Sequence, residues 1–148
     1  MMNLPSKIIL EAIQKYWDEA SKAKYKALID EVRRDLKTPK DNPSGDCAIV
    51  SYELWKRIGS KDWAVYSVYM GNPNDGADEH VLLVNKQGLI IDPTVDQFYS
   101  SSDDRNEMFG YKGYGDYKHF YKIPRKQLEF IQQEMEETLA RRNRGAKR

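Results

Sequence analysis

The chain has 148 residues, enough for one domain that can bury a core without disulfide or metal staples. Its 24 basic and 23 acidic side chains leave a formal net charge of +1, so no global field draws it to nucleic acid and any electrostatic preference must be local. A single cysteine excludes an intrachain disulfide, and one Cys with two His is a poor inventory for zinc, so neither a metal nor a cofactor is expected.

Residues 1–7 lack the apolar run of a signal peptide or membrane span, which leads us to expect a soluble, cytoplasmic protein, with delivery to another cell left open. From Ser6 to Leu36, apolar residues at three- and four-residue spacing (Ile9, Ile13, Tyr16, Ala20, then Leu28, Val32, Leu36) predict helix, capped by Ser6 and stopped at Thr38-Pro39. The turn-rich stretch 39–46 leads to a second helix in which Cys47 occupies the first turn, Ala48, Ser51, Leu54, Trp55 and Ile58 keep helical spacing, and Gly59 supplies a left-handed cap. Trp63–Met70, His80–Val84 and Leu89–Ile91 read as strands, the last two a hairpin turning near Lys86-Gln87. Asp92 precedes Pro93 and should be extended. The intervening 71–79 stretch is acidic and turn-rich but lacks the ligand spacing of a calcium loop, and reads as a solvated loop. The Tyr- and Gly-rich stretch after Phe98 reads as an ordered aromatic loop, with Tyr111 and Tyr114 as substrate-cleft candidates because glycines there permit movement. Tyr117–Ile123 reads as a fourth strand, its aromatic residues assigned to packing and His119 to a structural or surface role. A last helix, 124–143, buries Leu128, Ile131, Met135 and Leu139, and the basic residues Arg141, Arg142, Arg144, Lys147 and Arg148 are expected to fray into solvent. With no repeat and no long linker, 1–148 is expected to form a single α+β domain, helical over 6–58, sheet over 63–123 and helical again over 124–143.

Three residues in this layout carry chemistry. A thiol reacts as its thiolate, and the unpaired N–H groups and aligned dipoles of a helix N-terminus favour negative charge, which is where Cys47 falls. Its own N–H could also donate to a developing oxyanion. An imidazole is the natural proton carrier near neutrality, and His80 shares a strand face with Leu82 and Val84, emerging only at the strand end. The hairpin sets Asp92 across from His80, within reach of its ring, as the group that fixes tautomer and orientation. A lone cysteine is more often a small buried hydrophobe. The order of the three residues and the hairpin pairing favour a Cys47-His80-Asp92 catalytic triad.

Gly45-Asp46-Cys47 opening a helix, then Glu79-His80-Val81-Leu82-Leu83-Val84, then Leu89-Ile90-Ile91-Asp92-Pro93-Thr94 with Gln97-Phe98, resembles the Cys, His and Asp blocks of transglutaminase-like members of the papain-like superfamily. The resemblance covers roughly residues 40–100 and implies a nucleophile at a helix start, packed on a small antiparallel sheet. It implies Cys47 as nucleophile, His80 as base and Asp92 as orienter. Such compact domains occur among bacterial toxins, effectors and phage-associated proteins. The Cys-Gly-Ser-Cys-Trp surround of papain is absent, the third member is Asp rather than Asn, and no glutamine stands several residues before Cys47. Asn42 and Gln97 are the candidates for the second oxyanion donor. The expected activity is hydrolysis of a peptide or isopeptide bond through a thioester, with a protein or peptide substrate and no membrane partner. The alternatives are a protein-glutamine deamidase or transglutaminase, and an inactive papain-like module docking a protein or nucleic acid through the basic last helix, whose binding would be strongly salt-dependent.

Overall fold

The structure, a computed structural model, describes residues 19–40, 45–70, 78–94 and 117–146. The first part of the predicted N-terminal helix, residues 6–18, lies outside these. Its continuation is α1 (Glu19–Asp35), which buries Ile29 and Val32 and hands on to buried Leu36, while Leu28 is only partly covered. Lys37 then takes a left-handed φ of 57° and Thr38 N–H donates to the Arg33 carbonyl at 2.9 Å, which turns the chain out of the helix just before Pro39.

The second helix, α2 (Cys47–Ile58), begins at Cys47 itself. It buries Ile49, Val50, Ser51 and Leu54. Gly59 ends it at φ 64°, donating to the Trp55 carbonyl at 3.1 Å, the left-handed cap expected of it. The Trp55 indole N–H donates to the Trp63 carbonyl at 2.9 Å, so the end of α2 is tied to the start of the sheet.

Four strands, β1 (Trp63–Met70), β2 (Asp78–Asn85), β3 (Ile90–Ile91) and β4 (Tyr117–Lys122), form a sheet of order β3-β2-β1-β4 in which every pairing is antiparallel. Strand side chains alternate between faces. Trp63, Val65, Val81, Leu83 and Ile91 join the core shared with α1 and α2, while Tyr66, Val68, Leu82, Val84 and Ile90 form a second buried cluster. Burial on both faces accounts for the unbroken apolar run Val81–Val84, which an open one-sided sheet would not need. The last helix, α3 (Arg125–Ala146), adds Ile131 and Met135 to the first core, with Leu128 and Leu139 partly covered beside them. The architecture is α+β. No helix among the described residues is long and apolar enough to cross a membrane.

Three expectations need correction. First, the hairpin turns at Lys86-Gln87 as expected but not in the expected register: Asn85 N–H donates to the Leu89 carbonyl at 3.0 Å and Gly88, at φ 89°, closes a three-residue loop. Leu83 therefore pairs with Ile91 and Val84 with Ile90, a register that makes His80 and Asp92 diagonal neighbours rather than facing ones. Second, β4 is not a plain strand, because the register slips between Ser67 and Tyr69 of β1 while His119 adopts φ 56°, a bulge that adds one residue to β4. Third, the basic C-terminal residues do not all fray: α3 runs on to Ala146, and Arg142 is turned inward to Leu36 and Asp46.

Candidate active site

Asp92 follows the last residue of β3, and its side chain reaches back to His80 on β2. His80, on β2, falls by strand alternation on the face of Leu82 and Val84. Both are fully buried. The ring Nε2 lies 2.7 Å from Asp92 Oδ1, and the second carboxylate oxygen, Oδ2, accepts a bond from the Tyr117 hydroxyl, also at 2.7 Å. Both oxygens of Asp92 are thus occupied from two different strands. Arg33 of α1, itself buried, donates to the Pro93 carbonyl at 3.1 Å and fixes the backbone next to Asp92.

Burial alone would lower the His80 pKa, because desolvation disfavours the imidazolium. The charge of Asp92 and its hydrogen bond outweigh that, the hydrogen bond and charge of Cys47 add to them, and the value rises from 6.5 to about 10. The ring therefore meets a carboxylate through Nε2, and the chain's one thiol adds to the hold on its proton. With Nε2 given to Asp92, Nδ1 is the nitrogen left to exchange a proton with sulfur.

Cys47 is half-buried, whereas His80 is fully buried. One helical turn further along α2, on the same face, the buried Ser51 hydroxyl donates to the Val81 carbonyl at 3.1 Å. That bond pins α2 to the residue following His80 and sets how far the thiol stands from the ring. Just before Cys47, the buried carboxylate of Asp46 does not cap the helix. It accepts bonds instead from Thr38 Oγ1 at 2.8 Å and from Arg142 Nη1 and Nη2 at 2.8 and 3.0 Å.

His80 and Asp92, from β2 and the end of β3, are thus joined directly, and Cys47 at the start of α2 acts on the same imidazole through its charge and hydrogen bonding. No protein-family model, curated protein or solved structure matches the chain. Asn42, Gln97, Tyr111 and Tyr114, proposed from sequence as oxyanion or cleft residues, lie outside the described residues. His119 is exposed, its ring edge-on to Tyr69 at 6.0 Å, and takes no part.

Tyr117, Ser51, Arg33 and Arg142 were missed from sequence. The sequence places Tyr117 in packing, which it does, but its hydroxyl also holds Asp92. A buried tyrosine hydroxyl needs a partner, and that rule could have marked it. A serine inside the apolar stripe of α2 carried a similar signal. Nothing local marks Arg33 or Arg142, whose partners are 60 and 96 residues away along the chain.

Chemically, the arrangement offers a thiol at a helix start, an imidazole whose proton affinity that thiol raises, and a carboxylate held by a tyrosine on its far side. The backbone N–H of Cys47 lies in the first helical turn, where it has no partner within the helix.

Proposed function

We propose that this chain is a cysteine-dependent hydrolase that cleaves a peptide or isopeptide amide through a thioester on Cys47, on a papain-like or transglutaminase-like frame. The observation that carries the proposal is the single buried imidazole coupled to Asp92 at 2.7 Å on one side and to the helix-start thiol on the other. An imidazole charged through neutral pH favours a thiolate beside it. The thiolate attacks the carbonyl carbon, and the C–S bond forms as the carbonyl π electrons move onto oxygen. The Cys47 N–H stabilises that oxyanion. Collapse breaks the C–N bond, and the leaving amine takes the proton from His80. Acylation removes the thiolate charge that helped hold this proton, so the ring can next take one from water as it attacks the thioester. The products are the free acid, the amine and the regenerated thiolate–imidazolium pair. An amine in place of water gives transamidation, and a glutamine side-chain amide as substrate gives deamidation, by the same steps.

Alkylation by iodoacetamide at pH 6 tests this. We expect native Cys47 to react at least about tenfold faster than the urea-unfolded chain, and His80→Ala to erase the difference. Equal rates in native and unfolded protein would remove the basis for the enzyme.

A further inference from the structure

Aspartate immediately before a helix is among the best N-caps, because its carboxylate accepts the orphan N–H groups of the first turn. Asp46 holds that position ahead of Cys47 and makes no such bond. Its carboxylate, only 7% exposed, faces the other way, into the fork of Arg142 and the Thr38 hydroxyl. Arg142 is steadied in turn by donating to the Leu36 carbonyl at 2.9 Å, so α3, the end of α1 and the start of α2 meet at one carboxylate. Planar two-pronged pairing of this kind fixes direction as well as charge.

We propose that Arg142 is a positioning residue for the Cys47 site: by gripping Asp46 it withdraws and neutralises the carboxylate beside the nucleophile, reserving the first-turn N–H groups of α2 for the thiolate and the substrate oxyanion. The inference rests on the thiol chemistry proposed above. Without Arg142 the carboxylate has two courses. It can swing into cap geometry and accept the Ala48 or Ile49 N–H, competing with the oxyanion, or it can stay in place as an uncompensated negative charge next to sulfur. Either course makes the thiolate harder to form. Among the described residues, the charged groups linked to this region are His80 from β2, backed by Asp92, then Arg33 from α1 at the Pro93 carbonyl, Asp46 preceding its own helix and Arg142 from α3. Arg142 is the one among them whose partner adjoins Cys47 in sequence.

The test compares native protein with Arg142→Met, Arg142→Lys, Asp46→Ala and the Arg142→Met/Asp46→Ala double variant. Iodoacetamide alkylation is followed alongside thermal unfolding from about pH 5 to about pH 9, where thiols and imidazoles titrate. Arg142→Met is expected to slow alkylation about tenfold at pH 6 and to move the profile to higher pH. The double variant should return to within about threefold of native, since charge and competing cap leave together, although the lost clamp still lowers its melting temperature. Arg142→Lys should fall between native and Arg142→Met, a point charge without the fork. A double variant as slow as Arg142→Met, or an Arg142→Met profile lying on the native one, overturns the proposal. If Arg142→Met does not fold, Asp46→Ala decides: alkylation at least as fast as native supports the role, and slower alkylation overturns it. Native protein no more reactive than its unfolded chain sinks both this inference and the enzyme reading, whereas reactive native protein with an unmoved variant sinks only the role of Arg142.

Discussion

A fully buried histidine that keeps its proton is expensive unless a carboxylate stands against it, and Asp92 stands at 2.7 Å from His80. The His80 pKa is raised to about 10 from its ordinary 6.5, so the folded protein holds this proton more tightly than the unfolded chain. The contribution to stability is complete below about pH 6.5 and is given up as pH climbs through about 10. Urea unfolding at pH 6 and pH 9.5, compared with a His80→Gln/Asp92→Asn variant that keeps shape without charge, should show native protein losing roughly 3 kcal/mol more than the variant over that interval. Parallel losses in the two proteins would mean that no proton is retained. His80 and Asp92 were legible because each explains the other: a proton carrier needs an orienter, and the hairpin supplies one. Tyr117 was not, because its hydroxyl finds Asp92 only once β4 lies beside β1.

The strands themselves were legible from β-branched and aromatic runs, and β1 falls on the residues expected, Trp63–Met70. Register was not. It depends on the Asn85 side chain, whose Oδ1 accepts the N–H groups of Gln87 at 2.9 Å and Leu89 at 2.8 Å, and on the left-handed Gly88, details that a count of turn residues does not contain. Asn85→Ala removes both bonds and should cost roughly 1–3 kcal/mol in chemical denaturation. Because this turn aligns Asp92 with His80, the same variant should also alkylate more slowly at Cys47. An unchanged rate would show that Tyr117 and Arg33 hold Asp92 without help from the turn. The bulge at His119 blurred β4 in a similar way. It brings Tyr117 and Phe120, three positions apart, into one cluster with ring centroids at 6.4 Å, so the even-odd alternation used to read faces fails there.

On the scale of the whole molecule, the α+β class was legible because helical stripes and strand runs are local patterns, while the bonds that join distant segments at the site leave no local mark. The outcome for Arg142 shows why: a basic tail looks the same in sequence whether it faces water or an aspartate 96 residues away. The last helix does more than supply that arginine, since Met135 is 5% exposed and lies in the core that α1, α2 and the sheet share. Met135→Ala should destabilise by about 2–4 kcal/mol in urea, and a loss below about 1 kcal/mol would mean that α3 packs only loosely. That arrangement bears on how the protein is made. A nascent chain emerging from the ribosome can pair β1 with β2 early, but it has neither a closed core nor a steadied Asp46 until residues 131–142 have followed. A stretch translated well after Cys47 thus completes the surroundings of that cysteine, and a ribosome stalled in α3 would hold an unfinished, chaperone-prone intermediate.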